Sequence, residues 1–95
     1  MDLDRMRQQA EPMITRGLDR FAHRADLAIS FTVAGVEITS KSHNDTILAL
    51  VHGLLAPVFS QAGWGFRSRQ GYRKHTLVFS PPLDAAATGR RRGMR

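Results

Sequence analysis

Residues 63–80 read GWGFRSRQGYRKHTLVFS, a pattern typical of two strands joined by a turn near Gly71. Successive side chains of a strand point to opposite faces. Trp64 and Phe66 therefore share one face, and Arg67 and Arg69 share the other. The sequence predicts a hairpin with aromatic rings directed into a core and guanidinium groups directed to solvent.

Two turn positions within this hairpin are compatible with the glycine. A turn at Gln70-Gly71 pairs Phe66 with His75, and a turn at Gly71-Tyr72 pairs Phe66 with Leu77. Either register keeps the apolar side chains of Trp64, Phe66, Leu77 and Phe79 on one face and the cations Arg67, Arg69 and Lys74 on the other. A three-residue loop would break this agreement, because a shift of one residue exchanges the two faces.

The first half of the chain predicts a helix followed by another hairpin. Residues 2–25 carry apolar side chains at the three- and four-residue spacing of an amphipathic helix, in which Pro12 predicts a kink or a new start. Residues 27–33 and 36–41 alternate as strands, with a turn at Ala34-Gly35. The side chains expected to face the core from this hairpin are Leu27, Ile29, Phe31, Val33, Val36 and Ile38.

A second helix is predicted over about Asp45 to Gln61. Asn44 or Ser42 supplies its N-terminal cap, since side-chain oxygens of these residue types accept hydrogen bonds from the first free backbone N–H groups. Apolar side chains cover more than one face of this helix, so we expect it to be the most buried element.

Together these elements predict an α+β fold in the order α-β-β-α-β-β, with a four-stranded antiparallel sheet and both helices on one face. The domain should span residues 1–83, because Pro81-Pro82 ends the last strand, and residues 84–95 should form a flexible, arginine-rich tail. The second face of the sheet is left open. That face also leaves room for a homodimer in which two sheets pack together.

The 95-residue chain has a net charge of +6 that is unevenly distributed. There is no acid between Thr46 and Leu83, and the positive charge lies in the second hairpin and the tail. Such a field attracts polyanions or acidic protein surfaces. The chain has no cysteine, no signal-peptide pattern at its start and no apolar run of membrane-spanning length, so we expect a cytoplasmic protein that does not enter membranes.

The strongest candidate site is the basic hairpin with the tail, which offers cations for phosphates and one tyrosine for stacking on a base. The predicted binding residues are Arg67, Arg69, Tyr72, Arg73, Lys74, Arg90, Arg91 and Arg92. The leading hypothesis is a non-catalytic protein that binds nucleic acid or a ribonucleoprotein. The alternative is an inhibitor or accessory protein, of the type encoded by phages and mobile elements, that binds an acidic surface of a nucleic-acid-handling complex.

A third hypothesis is a ribonuclease that uses His75, which lies beside Arg73 and Lys74. The segment from Ala62 to Gly71, after a helix and before a histidine, resembles the HicA family of mRNA-cleaving toxins. That resemblance implies a fold like that of double-stranded-RNA-binding domains and a catalytic histidine soon after the second glycine. The chain differs from the family's Gly-Ser-His motif, lacks its following strand and helix, and adds an α-β-β unit in front.

No second catalytic group is identifiable beside His75 in the sequence, and no histidine has metal-ligand spacing with carboxylates. We therefore predict no catalytic residue, no metal site and no cofactor.

Overall fold

The computed structural model describes residues 2–71 and 74–82. Its elements are α1 (Leu3–Gly17), a 3₁₀ turn (Arg24–Asp26), β1 (Leu27–Thr32), β2 (Gly35–Ser40), α2 (Asp45–Gln61), β3 (Gly65–Gly71) and β4 (Lys74–Ser80). The strands form one antiparallel sheet in the order β1-β2-β4-β3. The predicted α+β class, element order and four-stranded sheet are confirmed.

One core joins both helices to one face of the sheet. Its buried members are Met6, Ala10, Ile14, Leu18, Leu27, Val36, Ile38, Ile47, Leu48, Val51, Leu55, Phe59, Trp64, Leu77 and Phe79. Phe59 stacks on Phe79 with ring centroids 4.5 Å apart, and its edge meets the Trp64 ring at 5.1 Å. Trp64 is only 7% exposed, so the predicted inward direction of this ring is confirmed.

Helix α1 is shorter than the predicted segment of residues 2–25. Asp2 caps it by accepting a hydrogen bond from the backbone N–H of Arg5 at 2.8 Å, and Pro12 lies inside it without ending it. The helix ends at Gly17, where it crosses α2 closely. A Cβ at Gly17 would lie 2.5 Å from Cδ2 of Leu55, so any larger residue here would force the buried Leu55 side chain to shift.

Helix α2 has the predicted bounds, Asp45–Gln61. The Asn44 side chain caps it, with Oδ1 accepting from the N–H groups of Thr46 at 3.0 Å and Ile47 at 3.2 Å. The expectation that this helix is the most buried element is wrong, since only five of its 17 residues are buried, whereas four of the seven residues of β4 are. Leu50 and Leu54 of α2 are 52% and 42% exposed.

The turn of the first hairpin lies one residue earlier than predicted. Thr32 pairs with Gly35, so Val33 belongs to the turn and is 96% exposed instead of facing the core. The Thr32 hydroxyl accepts a hydrogen bond from the N–H of Ala34 at 3.1 Å, which stabilises the turn. Gly35 has φ +132°, and a Cβ there would lie 2.2 Å from the carbonyl oxygen of Phe79.

The second hairpin also has a register that differs from both predicted ones. Phe66 pairs with Phe79, rather than with His75 or Leu77, and Gly71 pairs with Lys74. The displacement is an even number of residues, so every side chain keeps its predicted face. Phe66 lies on the helical side, where its ring centroid is 4.4 Å from that of His52, although Phe66 remains 41% exposed.

Within residues 2–71 and 74–82, neither helix has the length and apolar character needed to cross a membrane. The domain prediction of residues 1–83 with a tail at 84–95 stays a prediction, because residues 83–95 lie outside the described part of the chain.

Candidate nucleic-acid interface

The face of the sheet opposite the helices carries the predicted cations. Arg67 and Arg69 of β3 alternate with Phe66, which faces α2, and both arginines are exposed. Lys74 pairs with Gly71 at the start of β4 and lies on the same face as the arginines. The structure therefore brings these three residues together on the open face, as the alternation predicts.

Arg69 is paired with an acid of a different strand. Its Nη2 donates a hydrogen bond to Oε1 of Glu37 at 2.7 Å, and the Thr32 hydroxyl donates to Oε2 of the same carboxylate at 2.8 Å. The pKa of Glu37 is held below its ordinary value chiefly by the hydrogen bond from Thr32. The hydrogen bond and charge of Arg69 and the charge of Lys74 act in the same direction, whereas partial burial opposes them. Glu37 is thus a carboxylate at neutral pH.

This ion pair extends across β4, since Glu37 is on β2, Arg69 is on β3, and β4 lies between them. Two β4 side chains of the same face, Thr76 and Val78, are 2% and 0% exposed. Val78 is not part of the helical-side core. The Arg69–Glu37 pair thus lies on the same face as the buried residues Thr76 and Val78 of the strand between them.

The remaining positive charge of this face belongs to Arg67 and Lys74. Within residues 2–71 and 74–82, neither side chain forms an ion pair. No aromatic ring of the described strands lies on the open face, because Phe31, Phe66 and Phe79 alternate towards the helices. The other predicted binding residues, Tyr72, Arg73, Arg90, Arg91 and Arg92, lie outside the described part of the chain. The homodimer through this face stays a prediction.

A cavity of about 470 Å³ lies where β2 and β4 separate. The ladder between these strands ends at the pair Ile38–Leu77, so the following residues of β2 and the first residues of β4 diverge. The residues that give the cavity its charge are Lys41, His43, Asp45, Lys74 and His75. Leu48 from the first turns of α2 adds an apolar wall.

His75 is paired with an acid that the sequence did not reveal. Its Nδ1 lies 3.5 Å from Oδ1 of Asp45, at the beginning of α2, and its Nε2 is buried without a hydrogen-bond partner among the described residues. His75 lies on the inner strand β4, two residues before the first residue of that strand that pairs with β2. In this conformation Nε2 is not accessible to a phosphodiester, and Nδ1 is directed at Asp45.

The loop beside the cavity is anchored by Asp26. Its Oδ2 accepts hydrogen bonds from the hydroxyls of Ser40 at 2.5 Å and Ser42 at 2.9 Å, and its Oδ1 accepts from the N–H of Ser42 at 3.0 Å. The Ser40 hydroxyl in turn accepts from the N–H of Asn44 at 2.9 Å. The hydrogen bond from Ser40, followed by those from Ser42, lowers the pKa of Asp26, while burial acts in the opposite direction.

The described residues contain no group of three or more histidines and carboxylates placed to hold a metal ion. Comparisons with known protein families, with curated proteins and with solved structures found no match to this chain. The function must therefore be argued from the chemistry of the described surfaces.

Proposed function

We propose that this protein binds nucleic acid through the cations on the open face of its sheet, with little discrimination between base sequences. The observation that carries the proposal is the presence of Arg67 and Lys74 together on that face, without an ion-pair partner among residues 2–71 and 74–82. Phosphate contacts of this kind provide affinity that does not depend on sequence.

The arrangement of rings supports the absence of base recognition. Sheets that read single-stranded RNA present aromatic side chains on which bases stack. Here Trp64 is 7% exposed and packs against Phe59 in the core, so it offers no stacking surface. The described strands contribute cations and hydroxyls to the open face, which suit a phosphate backbone better than a base.

The distribution of acids supports an anionic ligand. Glu37 is the acid that contacts the described cations of this face, and it is occupied by Arg69 and Thr32. No acid occurs between Thr46 and Leu83, so α2, β3 and β4 add no negative charge after the first residue of α2. A phosphate chain approaching this hairpin meets a predominantly positive field.

The test compares two double variants that remove the same charge. Affinity for fluorescent random-sequence oligonucleotides is measured at about 50 mM salt, where phosphate contacts contribute strongly. Arg67→Ala with Lys74→Ala should weaken binding by roughly tenfold or more, because two phosphate contacts are lost. The control, Arg5→Ala with Arg16→Ala, changes exposed arginines of α1 on the helical side and should leave affinity within about twofold, as expected of weak long-range screening.

Equal losses in both double variants would mean that net charge alone attracts the oligonucleotide, which contradicts a defined interface. No binding by the wild-type protein would overturn the proposal in favour of an acidic protein surface as the partner. In that alternative, Arg67 and Lys74 would bind the acidic protein surface.

A further inference from the structure

The cavity between β2 and β4 shares Lys74 with the open face, but its other lining residues do not belong to the cation group of that face. It exists because the β2–β4 ladder comprises only the pairs Val36–Phe79, Glu37–Val78 and Ile38–Leu77. Beyond Ile38 the strands separate, and the first turns of α2 close the gap with Asp45 and Leu48. Its volume of about 470 Å³ lies within the range of small-ligand sites, about 300–1,000 Å³.

The ionisable side chains around this cavity favour an anion that can contact two ammonium groups. Lys41 directly follows the end of β2, Lys74 begins β4, and His43 lies on the loop between β2 and α2. Asp45 is the single carboxylate of the lining, and it faces Nδ1 of His75 at 3.5 Å. A phosphomonoester carries about −1.5 to −2 charges at neutral pH, which matches two ammonium groups better than a phosphodiester does.

The walls of the cavity are held in place without a ligand. Asp26 fixes Ser40 and Ser42 on either side of Lys41, and the N–H of Lys41 donates to the carbonyl oxygen of Asp26 at 2.6 Å. His43 adopts φ +56°, a left-handed conformation that is unfavourable for a residue with a side chain. This ordered loop reduces the entropy that a ligand would otherwise lose on binding.

We propose that this cavity binds a phosphomonoester attached to a small organic group, with Lys41 and Lys74 as the phosphate ligands and Leu48 against the organic part. Two sources share this chemistry: the phosphorylated end of a nucleic-acid strand and a free mononucleotide. Lys74 belongs both to the cavity and to the open face, so a strand lying across that face would bring its end to the cavity. The strand-end form rests on the proposed nucleic-acid binding, whereas the mononucleotide form does not.

The test titrates the ¹⁵N-labelled full chain with adenosine 5′-monophosphate and, as the uncharged control, with adenosine. The monophosphate should shift the amide signals of residues 40–48, and Lys41→Gln should weaken its binding at least tenfold. Lys41 is exposed and contributes its backbone to the loop, so this variant should keep the wild-type melting temperature. Arg5→Gln, which removes an exposed cation of α1 outside the lining, should bind the monophosphate as the wild type does.

A second arm distinguishes the sources with oligonucleotides that carry a 5′-phosphate, a 3′-phosphate or neither. A preference for one phosphorylated end that disappears in Lys41→Gln supports the strand-end form, and monophosphate binding without such a preference supports the mononucleotide form. If the monophosphate shifts no signals of residues 40–48, or binds Lys41→Gln equally well, the cavity proposal is overturned. If the cavity proposal is overturned in this way, oligonucleotide binding still supports the proposed function. If instead the monophosphate binds but oligonucleotides do not, only the proposed function is contradicted.

Discussion

The Arg69 guanidinium on β3 and the Glu37 carboxylate on β2 meet at 2.7 Å across the intervening strand β4. The pair neutralises one of the three cations that the sequence places on the open face. Arg69 is half exposed, so the pair should contribute at most about 1 kcal/mol to stability. Its larger effect is on the charge that this face presents to a ligand.

Glu37→Gln should therefore strengthen oligonucleotide binding. The change removes the negative charge beside Arg69 and makes that guanidinium available to a phosphate. We expect a severalfold higher affinity at low salt, measured by fluorescence anisotropy. Asp19→Asn, which removes an exposed acid beyond the end of α1, is the control for net charge and should have a clearly smaller effect. Equal gains in both variants would contradict a specific role for the Arg69–Glu37 pair.

Stability should fall in acid because two carboxyl groups have lowered pKa values in the folded chain. Asp26 titrates below its ordinary 3.8 and Glu37 below its ordinary 4.5. The folded state therefore binds their protons less readily than the unfolded state, and the stability they provide is present above these values and lost as pH falls through them. The measurement is the urea midpoint between about pH 7 and pH 3.

Asp26→Asn serves as the matched variant for this pH series. It should be less stable than the wild type at neutral pH, because an amide is a weaker acceptor for Ser40 and Ser42, and its midpoint should change less between neutral and acidic pH. A wild-type midpoint that stays constant below about pH 4, or a variant with the full wild-type pH dependence, would contradict the role assigned to Asp26.

Gly35→Ala should destabilise the fold strongly. The new methyl group would lie 2.2 Å from the carbonyl oxygen of Phe79, and φ +132° is unfavourable for alanine. We expect a loss of more than about 2 kcal/mol in the free energy of unfolding, since strain of this kind costs about 1–3 kcal/mol before the clash is added. Gly65→Ala is the control: nothing lies within 4 Å of its added methyl group, and the change should be within about 1 kcal/mol. Similar unfolding curves for the two variants would show that β2 and β4 do not approach as closely as described.

RNA should remain intact in the presence of the purified protein. The Nε2 of His75 is buried and its Nδ1 is directed at Asp45, so Nε2 cannot accept a proton from a ribose hydroxyl in this conformation. The check is gel analysis of a labelled RNA after prolonged incubation, alongside His75→Ala. Cleavage by the wild type that is absent in His75→Ala would instead favour the ribonuclease alternative implied by the resemblance to HicA toxins.

The sequence predicts the faces of this fold better than its registers. Period-two alternation assigns Trp64 and Phe79 to the core and Arg67 to solvent in any register displaced by an even number of residues. It cannot choose among those registers, so both turns were misplaced. In the first hairpin, Gly35 belongs to β2 and not to the turn, because it lies close to the carbonyl oxygen of Phe79 on β4. That contact depends on the pairing of β2 with β4, which the local sequence does not reveal.

The candidate site shows the same limit. The shared face of Arg67, Arg69 and Lys74 follows from alternation alone. The acidic partners at the site do not follow from alternation. Glu37 can contact Arg69 only once the sheet order is fixed, and Asp45 can contact His75 only once the position of α2 is fixed. The cavity likewise arises from the end of the β2–β4 ladder, for which no sequence spacing gives a signal.

The dependence of oligonucleotide affinity on salt tests the central claim most directly. For single strands, the logarithm of the association constant falls with the logarithm of salt concentration by about 0.7 for each phosphate contacted. Arg67→Ala with Lys74→Ala should reduce this slope by about 1.4, because two phosphate contacts are removed, whereas Arg5→Ala with Arg16→Ala should leave it unchanged. A slope that is the same in the wild type and in both double variants would contradict phosphate binding by the open face.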